Sequence, residues 1–536
     1  MKRKIGFIII VLLINLIFLF LYYENAKKEN QIPEKENIYS INVNDAGAIG
    51  DGKADDTKII QKAINQVSPG GNIILDSGST YRITDTIIIE KDISIISHGK
   101  KKAAFLMDNN EGNKPILNFN GEVKHNIKDI TSTFKQRDIS IPMFKKNGIR
   151  AGDLILIESD TPWYFDPRTG TENLHKGELH RISGVTNTKI LLEEALWDSY
   201  LSKYEDINVK IIRPIQVNIK NINLLRSESN NRTIGLRIKY CSNCVIDNTS
   251  VKNSSALGIH IVSSYRTSIE DSTIEGANDK NSGYGIQSYG SSFSLIRDNV
   301  IFGSRRGVDI SGLYPDHYSI VEFNSVFGGG KNKIGQAYLI EDTQYGIGTH
   351  STANFTTFRG NILGNLNYGI NIRSANTSIE QNHFMGYIKG SCIILSNGRN
   401  VIIKENRTTS GKNLPNFADM TQLPTNIKEF KASTFLAIKR SFEIDSGFIK
   451  ITNNSVDISS ELIKILDSPD SKLSSFNQLN IEGNRIKLLD NKNGKSNFFL
   501  INSDFPLFNN STTIKGNKVT DMMGNIQDFR YKNFKP

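Results

Sequence analysis

Between Thr233 and Thr409 a pattern returns about every 22 residues, and nothing else in the chain restricts its fold as strongly. One half of each unit reads glycine, apolar, any, apolar, or a close variant. It occurs as GLRI from Gly235, GIHI from Gly258, GIQS from Gly285, GVDI from Gly307, GIGT from Gly346 and GINI from Gly369, with gaps of 23, 27, 22, 39 and 23 residues. The other half closes on an asparagine, at Asn248, Asn299, Asn324, Asn361, Asn382 and Asn406, interrupted by Ser272. Short alternating strands between glycine and asparagine corners build an all-β solenoid, a single-stranded parallel β-helix with one coil per repeat. The Leu-x-x-Leu-x-Leu frame of leucine-rich repeats is absent. Asparagine suits such a corner because it tolerates left-handed backbone. The pattern resumes at Asn454, Asn484 and Asn517, so the solenoid is predicted to run almost to the C-terminus.

The repeat also supplies coordinates for side chains. If the residue after each glycine points inward, the second and fourth after it point outward. The second-position column is Arg237, His260, Gln287, Asp309, Gly348 and Asn371; the fourth is Lys239, Val262, Tyr289, Ser311, His350 and Arg373. Two residues before the asparagine column stand Glu270, Arg297, Glu322, Arg359, Glu380 and Lys404. Stacked about 4.8 Å apart with alternating sign, these predict a structural ion ladder. The first strip mixes an acid, imidazoles, amides, a phenol and cations without alternation. Stability alone does not call for that mixture, which marks the strip as the candidate site.

Ahead of the repeats, Asp45–Ile64 reads D-x-G-A-x-G-D-G-x-x-D-D-T-x-x-I-Q-x-A-I. Ile60, Ala63, Ile64 and Val67 share one helical face, with Asp55, Asp56 or Thr57 as its cap. The run after Asp56 lacks the alternating oxygen ligands of a calcium loop, so no metal is expected there. This segment resembles the entry of the pectate lyase superfamily of right-handed parallel β-helix proteins. The resemblance implies a capping helix at the end of a solenoid and leaves the reaction open. It also admits a homotrimer, as in β-helix proteins resembling phage tailspikes.

Residues 148–214 depart from the repeat and are predicted to form a small inserted β-subdomain, the whole β-helix domain covering 39–536 and its clearest array 233–409. Within the insertion, Trp163, Tyr164 and Phe165 stand between Pro162 and Pro167, suited either to stack on a sugar or to anchor a loop. At the other end of the chain, Met1–Lys4 is basic and Ile5–Tyr23 is an almost unbroken apolar run of 19 residues. Residues 1–23 are therefore expected to act as a membrane anchor or signal sequence, and 24–38 as a polar linker. This puts the bulk of the chain at the extracellular face of the membrane, or secreted. The three cysteines are too few for a disulfide framework, and Cys241 and Cys244 are read as small stacked turn residues rather than a zinc half-site.

The formal charge is +10, and residues 1–36 hold six Lys/Arg against four Glu, leaving about +8 on the exported body. That balance points to an acidic polysaccharide or anionic cell-wall polymer as partner. The cations are dispersed and carry no nucleic-acid-binding signature, so no nucleic acid is expected.

Tyr345-GIGT-His350 partly resembles the Y-G-F-D-P-H motif of alginate C5-epimerases, β-helix enzymes that abstract the C5 proton of a uronate. Tyr345 and His350 match, Gly348 holds the aspartate position, and Asp309 lies in the same column one coil earlier. The expected chemistry is β-elimination by a polysaccharide lyase without cofactor. His350 and Tyr345 serve as base and acid, Asp309 orients His350, and Arg373, Lys239 or Arg306 neutralises the substrate carboxylate. Arg306, Tyr289, Gln287, His260, Lys239 and Trp163 are the expected substrate-binding residues. Hydrolysis or epimerisation on the same scaffold, and non-catalytic wall binding, are the alternatives. The extra loop before Gly346, with Glu341 and Asp342, is a further candidate for binding groups.

Overall fold

The computed structural model describes residues 39–520 apart from 110, 145–146, 164–173, 228–230, 329–344, 410–430, 441–446, 459–460, 468–477, 489–496 and 502–511. The expected anchor, the linker, Tyr164, Phe165, Glu341 and Asp342 lie outside the described residues. Among the described residues no helix is long and apolar enough to cross a membrane.

The chain folds as a right-handed parallel β-helix. A representative coil runs through Ser268–Glu270, Thr273–Glu275 and Tyr284–Tyr289, and each of these strands pairs in parallel with its counterpart one coil on. Among the described residues, stacked coils give one 16-stranded sheet and a second system of 25 strands. The apolar alternation explains the interior: Ile259, Ile286, Val308, Ile347 and Ile370 are wholly buried in a core continuous from Val43 to Val519.

The glycines of the repeat lie inside strands, not at corners. Gly258 falls within Leu257–Val262 and Gly307 within Arg306–Ser311. A Cβ on Gly307 would stand 2.5 Å from the Gly346 carbonyl oxygen and 2.4 Å from Val326 Cγ1, and Gly235, Gly258 and Gly285 meet the next coil in the same way. Close approach of successive backbones fixes this column, not turn geometry.

The asparagines also work differently from the expectation. The left-handed residue is the one before each column position: Asp271, Asp298, Phe323, Gln381 and Glu405 have φ between 48 and 57°. The asparagine itself is buried and aligned. Asn361 Oδ1 accepts from Asn324 N and Nδ2, while its own N and Nδ2 reach Asn382 Oδ1. This amide ladder continues through Asn406, Asn454 and Asn484 to Asn517. Asn248 is not part of it. Thr249 N bonds to Ser272 Oγ instead, and Asn248 holds the left-handed position with φ 47°. The ion ladder lies outside, with Arg297–Glu270 at 2.6 Å, Lys404–Glu380 at 3.4 Å and a close Arg359–Glu322 pair.

At the entry, the helix Thr57–Gln66 buries Ile60, Ala63 and Ile64. Asp55 accepts the Thr57 N–H, while Asp56 turns away to hold the N–H groups of Ile49 and Gly50. Cys241 and Cys244 are paired in a buried disulfide, a correction to their reading as unlinked turn residues.

The insertion is a six-stranded antiparallel sheet in the order Ser140–Pro142, Lys189–Leu192, His175–Val185, Leu154–Pro162, Ile207–Arg213 and Glu122–Ile127. It takes in two strands before residue 148. One face has its own core around Ile155, Ile182 and Ile211; the other presents Leu154, Leu156 and Leu179 to Tyr265 and Tyr314 of the solenoid. Trp197 seals the seam between the rings of His180 and His317, at 4.2 and 4.4 Å, and its backbone N–H donates to buried Glu178 at 2.7 Å.

Candidate functional site

The strand register aligns the outward strip coil by coil: Arg237 with His260, His260 with Gln287, Gln287 with Asp309, and Asp309 with Gly348. The residue before each glycine faces outward too, so Tyr284, Arg306 and Tyr345 form a third column in register. Asp309 sits where the columns meet. It is fully buried, but beneath its neighbours on the outer face rather than within the coil.

Four side chains donate to it. Tyr345 Oη lies 2.7 Å from Oδ1; Gln287 Nε2 and Ser311 Oγ lie 3.0 and 2.9 Å from Oδ2; His350 Nδ1 reaches both oxygens at 2.9 and 3.1 Å. Burial pushes the carboxyl up, but the His350 imidazole, the Arg306 guanidinium and the Tyr345 hydroxyl outweigh it and hold Asp309 well below the usual carboxylate range. Asp309 is therefore an ionised orienting group.

His350 stands above it with 24% of its side chain exposed. Its Nε2 accepts from Arg306 Nη1 at 2.9 Å, which fixes the neutral tautomer with the proton on Nδ1, facing Asp309. Burial, together with the Arg373 and Arg306 charges, lowers its pKa to about 4 against the opposing pull of Asp309. Arg306 lies between two rings, 4.7 Å from the Tyr345 centroid and 5.2 Å from that of Tyr284, and donates to Tyr284 Oη at 3.1 Å.

Gly348 explains why the acid stands one coil earlier than in the epimerase motif. A Cβ there would come within 2.3 Å of the Asn371 carbonyl oxygen and 3.0 Å of the Tyr345 ring. No aspartate fits, and Asp309 reaches the imidazole from below.

The structure thus joins His350, Asp309, Tyr345, Arg306 and Gln287 into one cluster, with Arg373 adding its charge from the following coil. Tyr289 pairs in register with Ser311, and its ring meets that of His260 at 5.8 Å. His260 and Lys239 lie farther along the strip. Trp163, from the inserted sheet, donates Nε1–H to the Ser351 carbonyl at 3.3 Å and so borders the cluster. Tyr284 was missed by the sequence reading because strict alternation would turn the residue before the glycine inward. The structure breaks that alternation at the glycine, and the residues before it, Ile234, Leu257 and Tyr284, pack in a cluster separate from the interior core. Asp316, a second buried carboxyl, bonds to Ser288, Ser291 and Ser319 and does not join the strip.

Two family models match the chain: rhamnogalacturonase A/epimerase, pectate lyase-like, over residues 40–223, and right-handed β-helix region over 215–384. Among solved structures, it is similar to the Gp54 tailspike of Acinetobacter baumannii bacteriophage AP22, in complex with A. baumannii capsular saccharide. Identity is 13%, the match covers 89% of this chain and 73% of that one, and the TM-score is 0.62. The Pseudomonas phage phi297 tailspike gp61 is 13% identical over 90% of this chain and 84% of its own, with a TM-score of 0.64. At these identities the likeness shows the fold. A probable glucan endo-1,3-beta-glucosidase of Arthroderma benhamiae is 40% identical over 76 residues, 14% of this chain and 8% of that protein. The chain spans under a tenth of that relative's length.

Proposed function

We propose that this chain, which carries a pectate lyase-like domain and a right-handed β-helix region, is an exported polysaccharide lyase that cleaves an acidic glycan by β-elimination. The observation that carries this reading is the neutral His350 imidazole held between an ionised aspartate and a guanidinium on an outer strip. Elimination from a uronate needs a base for the C5 proton, a cation for the adjacent carboxylate and a proton for the departing oxygen. In the resting site Arg306 occupies the His350 Nε2 lone pair. A uronate carboxylate is a stronger, charged acceptor for the guanidinium, so substrate binding draws Arg306 away and frees the base.

His350 Nε2 then takes the C5 proton, the C4–C5 double bond forms as the C4–O4 bond breaks, and O4 leaves with a proton. The expected donor, Tyr345, is 1% exposed and gives its hydroxyl hydrogen to Asp309. The acid role therefore moves to Tyr284, whose oxygen accepts from Arg306 and whose own proton remains to give. Arg373 shares the carboxylate charge, and Trp163 edges the sugar-binding surface. Hydrolysis would call for a pair of carboxylates, and Asp309 is the only one on this strip among the described residues. Likeness in fold to a tailspike solved in complex with a capsular saccharide supports a glycan partner. Export through residues 1–23 and assembly as a trimer belong to the same proposal.

The test is to incubate the purified chain with a panel of acidic polysaccharides and follow the absorbance of unsaturated uronate ends. His350→Ala is expected to lose about 10²–10⁴-fold in rate, and Tyr284→Phe to lose more than Tyr345→Phe. New reducing ends without absorbance would make the enzyme a hydrolase. Altered sugar NMR without cleavage would make it an epimerase, and retention on a polymer that stays unchanged would make it a wall-binding protein.

A further inference from the structure

Farther along the strip, three coils before Asp309, stands a cationic group that the catalytic cluster does not use. Arg237 is half-buried on the outer face, and the register runs from it through His260 and Gln287 to Asp309. Lys239, two residues on, lies over the Tyr240 ring at 4.6 Å. Among the described residues no carboxylate lies within ion-pair distance of either cation. The nearby acid, Glu158 of the inserted sheet, is already shared between Lys210 at 2.6 Å and His175 at 3.2 Å. Lys210 adds a third positive charge, lowering the pKa of Lys239 further after burial and Arg237. On the preceding coil the register partners, Asn118 and Asn120, are neutral.

This contrasts with the rest of the solenoid, where the ladder cations have acids one coil away. Holding unpaired cations at half-buried positions is unfavourable, and a bound anion would relieve it. Beside them, both ring nitrogens of His260 are buried without a hydrogen-bond partner, and burial followed by the Arg237 charge lowers its pKa to about 3. Buried polar atoms in native proteins rarely lack partners, so this marks an unmet polar demand on the same strip.

The geometry points to a second anion subsite at Arg237 and Lys239, which takes a carboxylate of the same polyuronate chain whose scissile sugar lies over His350. The inference rests on the proposed function. Three coil steps of about 4.8 Å place it roughly 14 Å from Asp309. One coil step is close to the length of one sugar in an extended uronate chain, so the glycan would run along the solenoid axis with several sugars between the two centres. The expected substrate is a polymer charged at successive residues, not a glycan with a single acidic sugar.

The experiment measures affinity of the full chain for a diuronate, too short to bridge the two centres, and for an oligouronate long enough to do so. Both oligogalacturonate and oligomannuronate series would be used. The wild type is expected to bind the longer ligand at least tenfold more tightly, with a steeper salt dependence. Arg237→Ala should lose most of that gain, as should Arg237→Gln, which keeps the packing of the side-chain stem. His260 ring resonances should move with the long ligand and not with the short one. If both variants keep the full length effect, the subsite is wrong while the lyase reading stands. If the wild type neither binds nor alters a uronate of either length, the lyase reading falls and the subsite with it.

Discussion

Four donors converge on Asp309, and each fixes it more firmly as an anion beneath His350. The consequence for catalysis is a sign that can be measured. Because burial and two arginines lower the His350 pKa to about 4, the imidazole proposed as the base is already neutral at mildly acid pH. The acid limb of kcat/KM should fall near pH 4 rather than near the ordinary histidine value of 6.5. Arg306→Gln removes one of the charges that depress the pKa, so the limb should move toward neutrality. A limb that stays in place in the variant would separate Arg306 from the base. Most of this site could be read from the glycine spacing, because register turns distant residues into neighbours. Tyr284 escaped because the column before the glycine was not counted, and the Arg306–His350 bond because side-chain pairing across coils leaves no periodic trace.

At the level of the strand and its turns, the asparagine ladder holds the corner inside the solenoid while the residue before it takes the strained backbone. The sequence displays the asparagine column, but not which of two adjacent residues is left-handed, since Asp, Gln, Glu and Phe all occupy that position here. Asn361→Ala would take the side-chain acceptor from the buried Asn324 N–H and remove the amide bonds to the Val321 carbonyl and to Asn382 Oδ1, while Asn324 Nδ2 keeps the Ile296 and Glu322 carbonyls. A loss on the order of 3 kcal/mol is expected, read as a lower urea midpoint with an unchanged slope. Replacing Asp298, which holds the left-handed position before Asn299 with φ 56°, by glycine should cost little by comparison. Equal losses at both positions would mean that the amide ladder is not what holds the turn.

Taken as a whole, the molecule is a long rod with one lateral sheet clasped to it at Trp197. The insertion was visible as a break in the repeat, but its first strands were not, because Glu122–Ile127 and Ser140–Pro142 pair only with segments far along the chain. His317, under Trp197, has its pKa lowered to about 4, by burial first and against the pull of Glu178. The docked state therefore favours neutral imidazole. Its stability is complete above pH 6.5 and declines as pH falls toward 4, where the undocked chain binds the extra proton. In a Trp163→Phe background, Trp197 fluorescence should change in that window before the β-sheet circular dichroism does, and His317→Gln should flatten the response. Coincident transitions would mean that clasp and rod unfold as one unit.

The fixed pitch of the coils has a further consequence. If the carboxylate-binding cations and the reacting base stand on separate rungs of one rigid stack, the protein is a molecular ruler graduated in sugars. Duplicating a single coil between His260 and Gln287 would then lengthen the preferred oligosaccharide by one unit while leaving the chemistry untouched.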